Sequence, residues 1–392
     1  MTTRTLSAAL LSAAAGLSAL GLAAGVQAAG VTDSEIIVGS HSDLSGVASV
    51  WGAPSTNAMR LRFEEVNEAG GIHGRKIRFV VEDNQYQVPR AVQAANKLLN
   101  RVKIFVMLGA LGTPMNNAVM KRQLAKNVPN LFPFSSSKAM SEPFHRLKFM
   151  QLSSYYDQIR AGTKHFVEVR GKQKICALYQ DTDYGRETYN AAVDQLDAMG
   201  LKLTESSAHK PTDADFTAAI GKMRNAGCDA IAMGTIIKDT ILPVATAKKI
   251  GYDAEFFGNV ATYDLFVSGA KGGVTEGYYA MTSFEIAYPD DPRPEVQNFV
   301  NSYRDRFGKD PNGAAQLGYA GADMLVFALD KAGKDLTVDA LVTALESISN
   351  YRDRFGGPTL GFGPDVRRGT NEAFLAQVRD GRWVRLSDSM SY

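Results

Sequence analysis

The sequence of 392 residues has little charge imbalance, few histidines and no catalytic motif. Its 43 Lys and Arg residues against 41 Asp and Glu residues give a formal net charge of +2, and no basic run suggests nucleic-acid binding. The 5 histidines are far apart without metal-ligand spacing, and no Gly-x-Ser-x-Gly elbow occurs. These absences argue against nucleic-acid partners, a metal site and a serine hydrolase, and they predict no cofactor.

Cysteine is nearly absent, with only Cys176 and Cys228 in the sequence. Both lie in or beside predicted buried strands, where a reduced cysteine packs as a small apolar residue. An oxidising compartment would instead allow a disulfide, which needs the two Cα atoms within about 7 Å. The sequence leaves both states open and favours the reduced one.

Long apolar runs are confined to the first thirty residues, where Arg4 is the only charged residue before Asp33. Residues 6–26 are rich in Ala, Leu, Ser and Gly, which are too small to make a strong membrane span. Val26 and Ala28 stand at the two positions that a signal peptidase reads. We therefore expect residues 1–28 to be a cleaved signal peptide and the protein to be exported, with an uncleaved anchor as the alternative.

From Glu35 onward, short apolar segments alternate with longer amphipathic ones, which is typical of βαβ units. The alternation pauses after residue 134 and restarts at residue 174, so the sequence predicts an α/β protein with two doubly wound parallel sheets. Predicted strands cover residues 36–39, 77–82, 105–108, 130–134, 174–179, 201–206, 230–234 and 255–258. Predicted helices cover 58–69, 89–100, 115–126, 186–199, 215–226, 240–250, 295–307 and 316–331, and a hairpin is expected at 373–386.

The stretch EAGGIHGRK, residues 68–76, has three glycines before two basic residues, as a phosphate-binding loop does. A phosphate-binding loop leads into a helix, whereas these glycines follow a predicted helix and precede a predicted strand. Gly70 and Gly71 suit the end of a helix, and Gly74 suits the turn into the strand. We therefore interpret the stretch as a helix-ending turn and not as a nucleotide site.

Three segments follow predicted strands and are rich in small polar residues: SHSDLSGVASVWG, GALGTPMN and SSSKAM. Ligands of open α/β sheets bind at the carboxyl ends of the strands. Two such sheets in one chain would meet across a cleft, so we expect these segments to line it.

Four segments together resemble the leucine/isoleucine/valine-type periplasmic solute-binding proteins of ABC transporters. They are IIVGSHSDLSGVASVWG, EEVNEAGGIHGRKIRFVVEDNQYQVPRAVQAANKLLN, ALYQDTDYGRE and TDADFTAAIGKMRNAGCDAI. The resemblance implies a type I periplasmic binding protein fold, in which a three-strand hinge joins two lobes. The first lobe would hold residues 30–152 and 283–355, and the second residues 153–282 and 356–392.

The resemblance also implies that a monomer in the periplasm captures a small ligand and delivers it to a membrane permease and ATPase. The ligand carboxylate would be held by hydroxyl and backbone N–H groups at Thr113 and at the serine run 135–137. Trp51 and Tyr184 would cover the ligand. The predicted ligand-binding residues are Trp51, Thr113, Ser135, Ser136, Ser137, Tyr155, Tyr184, Ile236, Val260, Tyr263 and Asp264.

Val260 is a departure from the family pattern. Family members that bind amino acids place an acidic side chain there, which pairs with the ligand ammonium. An unpaired ammonium in a closed cleft would cost several kcal/mol. We therefore expect a carboxylate without an amine, and the aromatic residues expected near the cleft (Trp51, Phe134, Tyr155, Tyr156, Tyr184 and Tyr263) favour an aromatic or long apolar acid.

Three alternatives stay open at this point. A shift of a few residues in the matching would place Asp264 at the ammonium site, with Asp239 as a second candidate, and would favour a branched-chain or other apolar amino acid. The protein could present its ligand to a sensor instead of a permease. An enzyme is less favoured, because the only approach to a catalytic constellation is His41-Ser42-Asp43, and adjacent residues of a strand point in different directions.

Overall fold

The computed structural model describes residues 28–392, so the predicted signal peptide lies almost wholly outside the described residues. Within residues 28–392, no helix is long and apolar enough to cross a membrane. Two parallel sheets with helices on their faces form the architecture, as the sequence predicts.

The first sheet has five strands in the order β2-β1-β3-β4-β5, all parallel. β1 is buried along nearly its whole length, as expected for a parallel strand covered by helices on both faces. The strands are β1 (Glu35–Ser42), β2 (Lys76–Asp83), β3 (Val106–Leu108), β4 (Asn130–Leu131) and β5 (Lys148–Phe149).

The second sheet has seven strands in the order β12-β11-β10-β9-β8-β6-β7. It is parallel from β7 to β10, and the predicted hairpin of β11 and β12 joins its edge in antiparallel fashion. The strands are β6 (Ile175–Gln180), β7 (Glu205–His209), β8 (Ala230–Gly234), β9 (Glu255–Gly258), β10 (Tyr279–Thr282), β11 (Phe374–Arg379) and β12 (Arg382–Arg385).

Eleven α-helices connect and cover the strands within the described residues. They are α1 (Ser49–Glu68), α2 (Val88–Lys97), α3 (Thr113–Ala125), α4 (Tyr155–Glu168), α5 (Asp183–Ala198), α6 (Thr217–Ala226), α7 (Lys238–Lys249), α8 (Leu265–Ser268), α9 (Pro294–Phe307), α10 (Gly313–Ala332) and α11 (Val338–Glu346). The turn between α1 and β2 has Gly70, Gly71 and Gly74 at positive φ, which confirms the prediction of a helix-ending turn.

The late helices return to the first sheet. Leu325 of α10 and Leu341 of α11 share a buried core with Val38 of β1 and Phe105 beside β3. Gly318 of α10 permits this return, because a Cβ there would lie 2.3 Å from the carbonyl oxygen of Ser55 on α1. The chain then goes back to the second sheet at β11, so it passes between the two sheets three times.

Cys176 in β6 and Cys228 before β8 form a disulfide, with Cα atoms 5.9 Å apart. The expectation of two reduced cysteines is therefore wrong. The reason is the strand order: β6 and β8 are parallel neighbours, which brings Cys176 beside residues at the start of β8. Strand order is a long-range property that the local pattern of the sequence does not contain.

Candidate functional site

A cavity lies between the two sheets and receives residues from both. Eight of the eleven predicted ligand-binding residues line it: Trp51, Thr113, Ser135, Ser136, Tyr155, Tyr184, Ile236 and Val260. Its volume is about 60 Å³. One water needs roughly 10–15 Å³ of such space, so the cavity holds several waters or one compact ligand.

Each of these residues lies at or just after the carboxyl end of a strand or at the start of the next helix. Thr113 begins α3 after β3, and Ser135 and Ser136 follow β4. Ile236 follows β8 and Val260 follows β9 in the other sheet. Because the carboxyl ends of parallel strands share one edge of a sheet, residues distant in sequence converge on the cavity.

A cluster of hydroxyl groups occupies the side of the cavity formed by the first sheet. The Thr113 Oγ1 and Ser135 Oγ atoms are 2.8 Å apart and share a hydrogen bond. The Ser137 N–H donates to Ser135 Oγ at 3.4 Å. Burial raises the pKa of Tyr155, and hydrogen bonding with the Ser136 backbone and the Ser135 side chain acts in the opposite direction, so the phenol stays protonated at neutral pH. The cluster therefore offers uncharged donors, which suit an anion.

Tyr86 lines the same cavity and was missed by the sequence reasoning. Its backbone has a φ of 54°, and Gln85 before it has a φ of 49°. Two side chains hold this left-handed turn: Asn84 Oδ1 accepts the Tyr86 N–H at 2.9 Å, and Asp83 Oδ1 accepts the Gln85 N–H at 3.0 Å. The Asp-Asn pair after β2 is the sequence signal that could have found it, because both residues stabilise such turns.

Tyr184 forms part of the wall through its ring. Its hydroxyl donates to the Thr235 carbonyl at 2.6 Å, so that proton is used within the protein. The ring lies edge-to-face with that of Tyr155, with centroids 4.9 Å apart. Burial raises the pKa of Tyr184 well above its ordinary value. Tyr184 thus supplies an apolar surface and no free charge.

Among residues 28–392, none of those that line the cavity carries a charged side chain. Val260, where an acid was expected for an amino-acid ligand, is buried and donates its N–H to Gln158 Oε1 at 2.8 Å. A cavity with hydroxyl and amide donors but no carboxylate suits an anion better than a cation.

The two alternative acids do not line the cavity. Asp239 accepts hydrogen bonds from Gln180 Nε2 at 2.8 Å and from the Ile236 N–H at 3.0 Å, behind the wall. Asp264 caps α8 by accepting the Phe266 N–H at 3.0 Å. Burial raises the pKa of Asp264 to about 7. Neither side chain is placed to meet a ligand ammonium.

Three other predicted aromatic or polar residues also lie away from the cavity. Ser137 donates its hydroxyl to Glu187 of α5. Tyr263 packs against Trp383, with ring centroids 4.7 Å apart. Tyr156, expected near the cleft, donates its hydroxyl to Asp194 at 2.6 Å. The prediction that these residues lie at the cavity is wrong, because each side chain contacts a residue that is distant in sequence.

The sequence His41-Ser42-Asp43 does not form a catalytic constellation. Asn84 Nδ2 donates to His41 Nδ1 at 3.1 Å, while the Asp43 carboxylate accepts the N–H groups of Gly46 and Ala48. The two side chains therefore serve separate structural purposes. In the described part of the chain, no group of three His, Cys, Asp or Glu residues could hold a metal ion.

The chain is similar to known periplasmic binding proteins. A family model described as periplasmic binding protein matches residues 35–382. The leucine-, isoleucine-, valine-, threonine- and alanine-binding protein of Pseudomonas aeruginosa is 22% identical over 292 residues, or 74% of this chain and 77% of that protein.

Two solved structures share the fold. A branched-chain amino acid ABC transporter protein from Thermus thermophilus with bound valine has a TM-score of 0.84 at 18% identity, and the match covers 92% of this chain and 98% of that one. A solute-binding protein of an ABC transporter from R. palustris, in complex with benzoate, has a TM-score of 0.78 at 17% identity, with coverage of 91% and 98%.

Proposed function

Because this chain belongs to the periplasmic binding protein family, we propose that it captures a compact carboxylate without an amine group. The bound acid is aromatic or apolar. The protein works in the periplasm as a monomer, after export through a cleaved signal peptide, and delivers the acid to the permease and ATPase of an ABC transporter.

The proposal rests on the uncharged lining of the cavity, to which the described residues contribute no charged side chain. Hydrogen bonds to a charged group contribute about 1.5–3 kcal/mol each, so a few donors from Thr113, Ser135 and Tyr155 suffice to hold a carboxylate. A buried ammonium without a carboxylate partner would lose several kcal/mol. A micromolar complex has only about 8 kcal/mol in all, so that loss would remove most of the affinity.

The size and wall of the cavity support a compact apolar body for the acid. Aromatic rings from Trp51, Phe134, Tyr155 and Tyr184 surround the space, together with Leu111, Leu152 and Leu317. Burying a ring of about 150–250 Å² at about 25 cal/mol/Å² contributes roughly 4–6 kcal/mol. Since the volume is about 60 Å³, a benzoate-sized or six-carbon acid suits it better than a long chain.

The mechanism is closure of two lobes, with the first formed by residues 30–152 and 283–355 and the second by residues 153–282 and 356–392. The acid docks on the hydroxyl cluster of the first lobe, and the second lobe brings Tyr184, Ile236 and Val260 against it. The ligand shifts the balance towards the closed form by binding that form more tightly.

An amino-acid ligand is the second candidate, because the curated relative from Pseudomonas aeruginosa is named for branched-chain and small amino acids. The two candidates differ in one group, the ammonium. Presentation of the ligand to a membrane sensor in place of a permease would use the same site.

A thermal-shift screen of the purified protein tests the proposal, because a ligand that binds only the folded state raises the melting temperature. The panel contains amino acids, aromatic acids and short aliphatic acids, each at the same concentration. We expect stabilisation by benzoate-sized or six-carbon acids. Stabilisation by leucine or valine with none by the amine-free acids would overturn the ligand assignment.

A further inference from the structure

Helix α5 reaches across the cleft to the elements that carry the hydroxyl cluster. The Glu187 carboxylate accepts the Ser137 hydroxyl and the Lys138 N–H, the latter at 2.9 Å. One turn earlier on the same helix, the Asp183 carboxylate accepts Asn117 Nδ2 of α3 at 2.8 Å.

These contacts join the two sheets. Tyr184 and Gly185 of α5 pack onto the second sheet, where a Cβ at Gly185 would lie 2.1 Å from the carbonyl oxygen of Gln180 in β6. Ser137 and Lys138 follow β4 of the first sheet. Opening the cleft would therefore break the bonds of Glu187 without disturbing either sheet.

The bonds of Glu187 hold the same loop that contributes to the ligand cavity. Ser137, which donates its hydroxyl to Glu187, also donates its N–H to Ser135 Oγ, the partner of Thr113. Because the Glu187 carboxylate accepts the Ser137 hydroxyl, it also fixes the position of the Ser135 hydroxyl.

The surroundings of Glu187 show that the carboxylate depends on these partners. Burial raises its pKa, and the Ser137 hydroxyl, the Lys138 N–H and the Lys138 charge act in the opposite direction. A half-buried carboxylate without such donors would be costly, so the Glu187 side chain needs the loop in place to keep its hydrogen bonds.

We propose that Glu187 is a positioning residue that latches the closed form and slows release of the ligand. The inference rests on the proposed function as far as a ligand in this cavity is concerned, and it holds whether that ligand carries an amine or not. Ser137, which the sequence suggested as a ligand contact, is the other half of the latch.

The first test measures association and dissociation rates for Glu187→Ala, Ser137→Ala and the double variant, with benzoate and leucine as the two probes. Charge-assisted hydrogen bonds of the usual strength predict a dissociation rate about tenfold or more higher in Glu187→Ala, with an association rate changed less than about twofold. The double variant should release the probe no faster than Glu187→Ala, because both changes break one latch.

Asp197→Asn is the matched control, since Asp197 lies at the far end of α5 and its carboxylate accepts from Lys202 Nζ at 2.7 Å. It should leave both rates unchanged. Equal dissociation rates in Glu187→Ala and the unchanged protein, or additive effects in the double variant, would overturn the latch.

A second measurement needs no ligand of known identity. The Lys138 amide, bonded to Glu187, should exchange its hydrogen for deuterium more slowly in the unchanged protein than in Glu187→Ala, as read from peptides that cover residues 136–141. Equal exchange in the two proteins would show that the bond is not formed in solution. Binding of leucine in place of benzoate in the first test would defeat the proposed ligand class while leaving the latch intact.

Discussion

His41 should make the stability of the protein fall as the solution becomes acidic. The side chain is completely buried, and burial lowers its pKa from 6.5 to about 4. In the unfolded chain the imidazole titrates at its ordinary value, so between pH 6.5 and 4 the unfolded state binds a proton that the folded state does not. The His41 pKa is about 2.5 lower in the folded than in the unfolded protein. This difference corresponds to roughly 3 kcal/mol of stability that is present above pH 6.5 and lost by pH 4.

The loss matters for the site because His41 belongs to the wall behind the cavity. Asn84 Nδ2 donates both to His41 Nδ1 and to the carbonyl oxygen of Leu111, which lines the cavity. Since Asn84 donates to Nδ1, the neutral ring carries its proton on Nε2. Protonation of Nδ1 would replace this acceptor with a donor and break the bond.

The assay is urea unfolding at pH 7.5, 5.5 and 4.5 for the unchanged protein and for His41→Gln, which cannot titrate. The free energy of unfolding of the unchanged protein should fall faster towards pH 4.5 than that of the variant, by about 2.5 kcal/mol between pH 7.5 and 4.5. Other titrating groups contribute to both proteins, so the difference isolates His41. Parallel pH dependence in the two proteins would refute the reasoning.

Three further predictions concern single groups. Val260→Asp should gain binding of leucine and lose binding of benzoate, as measured by calorimetry; unchanged preference would show that residue 260 does not face the ligand. Replacing Cys176 and Cys228 by Ala should lower the free energy of unfolding by about 4 kcal/mol, since the disulfide closes a span of 52 residues; a loss below about 1 kcal/mol in denaturant would contradict this. Asp264→Asn should be more stable than the unchanged protein above pH 7 and lose that advantage towards pH 4, because burial raises the Asp264 pKa to about 7 and the folded state therefore favours the neutral acid; an equal pH slope in urea melts would exclude it.

The arrangement of the two sheets was predictable because buried parallel strands leave short apolar runs that stand out in the sequence. The start of α1 was not, since Gly52 and Pro54 interrupt the helical pattern over its first turns. Gly52 is required there for a tertiary reason: a Cβ would lie 1.9 Å from the carbonyl oxygen of Asp43. The close approach of this loop to α1 gives no local pattern in the sequence from which the start of the helix could be predicted.

The cavity was predictable where residues directly follow strands, as Thr113, Ser135 and Val260 do. It was not predictable where the direction of a side chain depends on unusual backbone angles or distant partners. Tyr86 lines the cavity because it and the residue before it have left-handed backbone angles. The Ser137 hydroxyl does not line the cavity, because it donates to a carboxylate 50 residues further along the chain. The disulfide was not predictable either, because it depends on which strands are neighbours in the sheet.

The most direct test of the account is a calorimetric comparison of leucine with 4-methylpentanoate, which has the same carbon skeleton and carboxylate but no amine. The cavity offers hydroxyl and N–H donors to the carboxylate, and the part of the chain that the structure describes places no charged side chain there to meet the ammonium. We therefore expect 4-methylpentanoate to bind at least about tenfold more tightly, a difference of about 1.4 kcal/mol or more. Tighter binding of leucine would contradict the central claim that this cavity selects acids without an amine.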